Sequence, residues 1–202
     1  MELFGTLGSP YVRRTAIALR ALEVEFELVP LSVFTDLARF QQVNPVVKAP
    51  TLRLDDGTLL MDSSLIVQHF TTPATAESAL LPLETSQRAL ALSGVSFALA
   101  ACDKAVQIVY EHRLRPEEKQ HQPWLERIHG QLEAACQQWE TLAAAHPSEQ
   151  TDLFTLTSAV VWTFIQRMLP DRCAPDNFPA LEALTRVQEA KPLFRDFAMP
   201  EE

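Results

Sequence analysis

The first seventy residues alternate short strand and helix patterns, and this order restricts the possible folds more than any other feature of the chain. Strands are predicted at residues 3–6, 25–31, 51–54 and 58–61, and helices at 9–22, at 36–43 and from residue 62 onwards. Asp56-Gly57 separates the last two strands and is a strong hairpin signal. The order β-α-β-α-β-β-α predicts a right-handed crossover with parallel pairing, followed by an antiparallel hairpin.

The rest of the chain contains helical patterns and no convincing strand pattern. Helices are predicted at residues 86–113, from 116 through Trp139, at 153–169, at 178–190 and at 192–198. Residues 71–82 include two prolines and several small or polar residues, which is typical of a linker. With 202 residues the chain is long enough for two small domains. We therefore expect an α/β domain at 1–75, a linker at 76–84 and an all-helical domain at 85–202.

The charge and the apolar patterning argue against two classes of partner. A net charge of −9 repels nucleic-acid phosphate and anionic lipid headgroups, so neither nucleic acid nor a membrane is an expected partner. No run of eighteen uninterrupted apolar residues occurs, because the apolar stretch at 89–101 is broken by Ser93, Gly94 and Ser96. The N-terminus has no signal-peptide pattern, so we expect a cytoplasmic protein.

The cysteines and histidines give no metal or redox motif. The three cysteines are odd in number, far apart and without C-x-x-C spacing: Cys102, Cys136 and Cys173. Buried thiols in a reducing compartment are the favoured interpretation. The spacing of three histidines does not align them on one helix face: His112, His121 and His129. No metal site is therefore expected.

Ser9 and Pro10 stand at the start of the first predicted helix. Serine is a favoured N-cap and proline is favoured at the first helical position, so the pair is fully compatible with simple capping. A helix N-terminus also presents unpaired N–H groups and a partial positive charge. A hydroxyl placed there could donate a hydrogen bond to a bound thiolate, in a setting that lowers thiol pKa values.

Two further segments could contact the same ligand. Pro50 follows Lys48-Ala49 where a loop enters a strand, and a cis Pro50 would turn the backbone N–H and C=O of Ala49 toward a ligand. A trans proline at a strand start is equally compatible with the sequence. Asp62-Ser63 favours a helix N-cap. A carboxylate, a hydroxyl and free helix N–H groups also suit an α-amino acid head group, which carries both charges.

These three segments in combination resemble the N-terminal domain of glutathione transferases. The residues that carry the resemblance are the run from Gly8-Ser9-Pro10 to Arg14, Asn44-Pro45 through Lys48-Ala49-Pro50, and Asp62-Ser63. They match the family pattern S-P-[FY]-V-R-K, N-P-x-x-K-V-P and [ED]-S, and the chain is most similar to bacterial glutathione transferase-like proteins of serine type. The resemblance implies a thioredoxin-like N-terminal domain followed by the helical C-terminal domain of the family.

The chain departs from the family pattern at two positions. Val47 stands where the family often has glycine, which could stiffen the loop or crowd the glycyl end of glutathione. Residues 155–158 resemble the family's Thr/Ser-x-x-Asp capping box, with Ser158 in place of the aspartate. The replacement predicts a weaker reciprocal cap at the start of that helix.

The resemblance implies a dimeric, cytosolic transferase of the detoxifying kind, with glutathione as co-substrate and a small hydrophobic electrophile as second substrate. Asp62 and Ser63 would hold the γ-glutamyl end of glutathione, and Lys48 would favour the glycyl carboxylate. The backbone of Ala49 would pair with the cysteinyl unit beside Pro50. Ser9 would be the catalytic residue, because its hydroxyl would donate to the sulfur.

Alternative functions use the same fold without transferase chemistry. Stringent starvation protein A and elongation-factor gamma subunits use it as a protein-binding scaffold, and a carrier of apolar ligands is a further alternative. A scaffold need not keep Ser9, Asp62 and Ser63 together, and this chain has all three. Because no cysteine precedes Cys102, the N-terminal domain cannot run a dithiol cycle. Conjugation or weak peroxidase activity is therefore expected in preference to disulfide reduction.

Overall fold

The computed structural model describes residues 1–71 and 80–200. The chain divides into two compact units, one formed by Met1–Leu83 with Ala190–Glu202 and the other by Glu84–Glu189. Residues 76–79 of the predicted linker lie outside the described part of the chain.

The first unit is built on a four-stranded sheet with the order β2-β1-β3-β4. The strands are β1 (Glu2–Phe4), β2 (Glu27–Val29), β3 (Thr51–Arg53) and β4 (Leu59–Leu60). β1 pairs in parallel with β2 and antiparallel with β3, and β3 pairs antiparallel with β4. Gly57, at a φ of 89°, lies in the turn between β3 and β4 and adopts the left-handed conformation that glycine tolerates best.

Three helices complete the predicted β-α-β-α-β-β-α order: α1 (Pro10–Ala21), α2 (Leu37–Val43) and α3 (Ser63–Phe70). The apolar stripe of α1, which includes Val12, Ala16 and Leu19, is fully buried. Leu3 of β1 and Leu52 of β3 are directly paired and are also fully buried. The prediction of a thioredoxin-like domain with a mixed sheet is confirmed.

The C-terminal segment belongs to the first unit, although the sequence suggested that it would join the helical domain. It contains the short helix α8 (Pro192–Arg195) and the residues that follow it. Arg13 Nε donates to the carbonyl oxygen of Phe197 at 2.8 Å, and its guanidinium lies 6.0 Å from the centre of the Phe194 ring. Phe197 also stacks on Phe26 at 6.0 Å. These contacts attach the segment to α1 and to the chain just before β2.

The second unit is entirely helical over its described residues. Its helices are α4 (Thr85–Leu114), α5 (Gln122–Ala144), α6 (Leu153–Met168) and α7 (Pro179–Glu189), with short 3₁₀ turns at Glu117–Lys119 and Pro175–Asn177. α6 is the most buried of them, as its continuous apolar run predicts. Trp139 of α5 and Trp162 of α6 are fully buried and meet edge to face at 6.0 Å.

The start of α6 corrects one expectation. Asp152 is the N-cap: its Oδ1 accepts from Thr155 N at 2.8 Å, and Thr155 Oγ1 accepts from Asp152 N at 2.9 Å. The prediction of a weakened capping box at 155–158 is therefore wrong. A complete capping box lies three residues earlier, and in it the acidic residue comes first and the hydroxyl residue last. Ser158 is buried within the helix and accepts a hydrogen bond from Trp139 Nε1 at 2.8 Å.

α4 is long and apolar enough to cross a membrane when judged by length and composition alone. The core helix of a helical bundle passes the same test. α4 packs against α5 and α6, and its buried positions include several small residues, such as Gly94, Ala98 and Ala101. A Cβ on Gly94 would lie 2.5 Å from ring atoms of Phe154, so the absence of a side chain permits this close helix contact.

Candidate functional site

Ser9 immediately precedes α1 and is its N-cap. Val12 N donates to Ser9 Oγ at 3.4 Å, and Arg13 N donates to the Ser9 carbonyl oxygen at 3.0 Å. Pro10 occupies the first helical position, as predicted. Because Ser9 Oγ accepts from the helix, its own O–H can donate to another group, and the side chain is only partly buried.

The loop before β3 is held by a buried polar network. Asn44 Nδ2 donates to Thr51 Oγ1 at 2.8 Å, and Thr51 Oγ1 donates to the carbonyl oxygen of Lys48 at 2.6 Å. Both Asn44 and Thr51 are buried, whereas the Lys48 side chain is exposed. The Ala49–Pro50 peptide bond is cis, one of the two alternatives that the sequence left open.

Val47 adopts a φ of 54°, in the left-handed region. This conformation is costly for a β-branched residue and has almost no cost for glycine. The left-handed conformation explains why the family that this chain resembles often has glycine at the matching position. Val47 packs against a buried cluster formed by Phe4, Leu31 and Phe40, and this contact offsets part of the backbone cost.

Asp62 and Ser63 lie at the N-terminus of α3. Asp62 Oδ1 caps the helix by accepting from Ser64 N at 2.8 Å and from Leu65 N at 3.4 Å. Ser63 is buried, and its Oγ accepts a hydrogen bond from Arg14 Nη1 at 3.1 Å. The Ser63 O–H therefore remains able to donate to a ligand.

Contacts within the first unit link these three segments. Gly5 follows β1, and a Cβ built on it would clash with Val12 and lie 3.4 Å from Cβ of Ala49. The first turn of α1 and the loop before β3 thus meet over Gly5. Asn44 Nδ2 lies 3.2 Å from Met61 Sδ, which joins the same loop to the residue before Asp62.

The predicted site residues accordingly lie in three connected segments at one end of the sheet. These are the N-terminus of α1, the loop before β3 and the N-terminus of α3, which hold Ser9, Lys48, Ala49, Pro50, Asp62 and Ser63. The arrangement offers two hydroxyl donors, an exposed ammonium group and two helix N-termini.

Comparison with known proteins shows what the chain is similar to. Residues 3–77 match the family model described as the glutathione S-transferase N-terminal domain. A glutathione transferase family member from Pseudomonas fluorescens is 26% identical, with a TM-score of 0.85 over 100% of this chain and 98% of that chain. Residues 3–77 therefore form a glutathione S-transferase N-terminal domain.

Other glutathione S-transferase structures resemble it over nearly their whole length. One from Methylobacterium radiotolerans, in complex with glutathione sulfonate, is 25% identical, with a TM-score of 0.89 over 100% of this chain and 95% of that chain. One from Methylobacillus flagellatus shares the fold at 21% identity, with a TM-score of 0.87 and 98% coverage of both chains. Among curated proteins, no sequence matches this one.

Three residues that support the candidate site were not predicted from the sequence: Arg14, Asn44 and Thr51. Arg13 and Arg14 are charged residues outside the apolar stripe of α1, yet each is only 2% exposed. The available signal was the pair of adjacent arginines in a helix that is otherwise mostly apolar, since a buried guanidinium requires partners. In the sequence, Asn44 stands out only as the start of the motif that ends at Pro50, and Thr51 directly follows that motif.

Proposed function

We propose that this protein binds glutathione and stabilises its thiolate for attack on a small electrophilic substrate. The observation that carries the proposal is the hydrogen bond from buried Arg14 to Ser63, because it fixes a hydroxyl and a positive charge at the N-terminus of α3. The 26% identical protein from Pseudomonas fluorescens has been crystallised with glutathione and with S-(propanoic acid)-glutathione bound, which supports the assignment.

The N-terminus of α3 is suited to the γ-glutamyl end of glutathione. The free N–H groups, the Ser63 hydroxyl and the nearby Arg14 guanidinium favour the α-carboxylate. Only Oδ1 of Asp62 accepts the two capping bonds, so the second carboxylate oxygen can pair with the α-ammonium group. Asp62 and Ser63, which are adjacent in the sequence, therefore offer complementary partners for both charges of an amino acid head group.

The loop before β3 is suited to the remainder of the tripeptide. The backbone of Ala49 can form hydrogen bonds with the cysteinyl unit, as a short additional strand does at a sheet edge. Lys48 is exposed and can favour the glycyl carboxylate. Because Thr51 accepts from Asn44 and donates to the Lys48 carbonyl, the loop is held in shape before a ligand binds.

Ser9 is the group we assign to the sulfur. A thiol of pKa about 8.5 is only roughly 7% ionised near pH 7.4, and lowering the pKa by about two units requires about 2.7 kcal/mol. A hydrogen bond to a charged group contributes about 1.5–3 kcal/mol. A helix N-terminus adds about 0.3–1 kcal/mol. The Ser9 hydroxyl and the start of α1 can therefore supply most of the required stabilisation.

We further propose a cytoplasmic homodimer. Both units expose large apolar side chains that a second copy could cover: Leu59, Met61 and Leu65 in the first unit, and Leu90 and Leu92 in the second. Sedimentation equilibrium tests the dimer, and a monomer at micromolar concentration would exclude it. The second substrate is proposed as a small hydrophobic electrophile, by family resemblance alone.

Calorimetric titration with glutathione tests the proposal, and the most informative variant is Asp62→Asn. Asparagine caps a helix as well as aspartate does, so α3 remains intact while the negative charge is lost. We expect glutathione affinity to fall at least tenfold, because the α-ammonium group loses its partner. Asp55→Asn removes a similar, exposed charge that pairs with the N-terminal amine, and should leave the affinity unchanged.

Two results would contradict the proposal. An absence of binding at millimolar glutathione would favour a protein-binding scaffold. Equal losses in Asp62→Asn and Asp55→Asn would show that net charge, and not a site at α3, governs binding. Binding without conjugation of a reactive aryl halide would leave the glutathione site in place and overturn the transferase activity alone.

A further inference from the structure

Two of the three cysteines lie in contact, although 37 positions separate them in the sequence. Cys136 Sγ on α5 and Cys173 Sγ after α6 are 3.9 Å apart, and both side chains are buried. Both residues belong to the helical unit and are separate from the proposed glutathione site. Sequence spacing could not reveal this pair, because only the packing of the chain after α6 against α5 brings it together.

Cys173 lies on an irregular segment between α6 and the turn at Pro175–Asn177. Its backbone carbonyl accepts from Gln166 Nε2 at 2.8 Å, while the residues on either side of it are exposed. Cys173 also lines a cavity of about 100 Å³, together with His129, Leu132, Glu133 and Arg172. The cavity is large enough for a hydroperoxide of a few atoms and far too small for a glutathione-sized oxidant.

We propose that a small hydroperoxide oxidises this pair to a Cys136–Cys173 disulfide, which ties α5 to the segment after α6. In the first step Cys173 loses its proton and the thiolate attacks the peroxide. The O–O bond breaks, Cys173 becomes a sulfenic acid, and the alkoxide or hydroxide leaves with that proton as an alcohol or water. In the second step Cys136 sulfur attacks the Cys173 sulfur, the S–O bond breaks, and hydroxide leaves with the Cys136 proton as water. In total, two thiols are oxidised and one peroxide is reduced to water and an alcohol, or to two waters when it is hydrogen peroxide.

The surroundings assign the order of attack. The contact with the Cys136 thiol lowers the pKa of Cys173, although burial opposes this effect. The same contact and burial raise the pKa of Cys136. The more acidic thiol is also the one that lines the cavity, so Cys173 reacts with peroxide and Cys136 resolves the sulfenic acid.

The crosslink requires only a local adjustment. A disulfide has an S–S distance of about 2.05 Å, so the sulfur atoms must approach by roughly 2 Å, which side-chain rotation and a shift of the irregular segment can provide. Closing a loop of this length restricts the unfolded chain, and we expect the melting temperature to rise by about 5–10 °C on oxidation.

Titration of the folded protein with hydrogen peroxide, followed by alkylation in denaturant, tests the proposal. The wild type should change from three alkylatable thiols to one, with Cys136 and Cys173 in one disulfide-linked peptide pair. Cys102→Ser is the matched control, since it removes the third buried cysteine and should change from two thiols to none. Cys136→Ser should instead form a sulfenic acid at Cys173 that dimedone traps, whereas Cys173→Ser should give no adduct at Cys136.

The wild-type protein alone can overturn the proposal, whether or not the variants fold. Three alkylatable thiols after treatment would mean that the pair is merely packed. A disulfide that involves Cys102, or one between two chains, would also exclude it. None of these results depends on glutathione binding, so the proposed function and this inference can fail independently.

Discussion

The guanidinium of Arg14 donates to Ser63 Oγ at 3.1 Å, and both side chains are only 2% exposed. A residue of the first helix thus fixes the hydroxyl that begins the third helix. A buried cation at a helix N-terminus is unfavourable for the helix dipole, but it strengthens the attraction of that end for an anion. A carboxylate group of a ligand would complement this cation and the free N–H groups of the helix.

Ser63→Ala should weaken glutathione binding by about tenfold, because one charge-assisted hydrogen bond is lost. It should also lower the free energy of unfolding by about 1–2 kcal/mol, since buried Arg14 loses an acceptor. Titration calorimetry and urea denaturation measure the two effects. Ser64→Ala is the matched control on the same helix, and its exposed side chain predicts little change in either. Equal effects of the two variants would exclude a specific role for Ser63.

Ser9→Ala should lower the rate of conjugation about a hundredfold while glutathione affinity changes less than threefold, because Ser9 is assigned to the sulfur and to no other part of glutathione. The variant also loses a helix cap and should be destabilised by about 1 kcal/mol. Ser9→Thr keeps both the cap and the hydroxyl, and should restore the thiolate absorbance of bound glutathione near 240 nm. Full activity in Ser9→Ala would remove Ser9 from the mechanism.

Much of the fold could be predicted because its signals are local. The alternation of strands and helices, the Asp-Gly turn and the break before Pro45 each act within a few residues, and the predicted elements agree with the observed ones to within a few positions at most ends. The resemblance to glutathione transferases also rests on short segments, so the family could be recognised from them.

The missed features depend on partners that are distant in the sequence. Arg13 binds the carbonyl of Phe197, which is 184 positions away, and Arg14 binds Ser63, which is 49 positions away. Nothing near an arginine in the sequence reveals such acceptors. For the same reason, the sequence could not reveal that the segment after residue 190 belongs to the first unit, or that Cys136 and Cys173 are in contact.

Thr51→Val should destabilise the protein by about 1–3 kcal/mol although it conserves side-chain volume. The substitution leaves the Lys48 carbonyl and the amide group of Asn44 without their hydroxyl partner in a buried network. Glutathione affinity should fall as well, because the loop loses its fixed shape. Thr141→Val removes an exposed hydroxyl that binds only its own helix, and should change stability by less than about 0.5 kcal/mol. Chemical denaturation of both variants tests the difference.

The stability of the helical unit should decrease as the pH falls below about 6.5. Burial and the nearby charges of Arg172 and His112 lower the pKa of His129 in the folded protein. In this pH range the unfolded state binds more protons at His129 than the folded state does, so acid favours unfolding. His129→Gln, which does not titrate, should show a smaller decrease in melting temperature between pH 7.5 and 5.5. His69→Gln, at an exposed position, should behave like the wild type.

An alanine variant is usually more stable than a glycine variant at the same position, and at position 47 this order should be reversed. Glycine in place of alanine normally destabilises, because it loses more conformational freedom on folding. At a φ of 54°, however, alanine keeps the steric cost of the left-handed conformation, which is about 1–2 kcal/mol, and glycine removes it. Both variants lose the same contact with the cluster around Phe40, so that contact cancels in the comparison.

We therefore expect Val47→Gly to be more stable than Val47→Ala by about 1 kcal/mol in urea denaturation. Val46 supplies the control, because it lies in the same loop, is 63% exposed and has no positive φ. At that position the alanine variant should be the more stable one. The same order at both positions would mean that the left-handed backbone at Val47 is not a feature of the folded protein in solution.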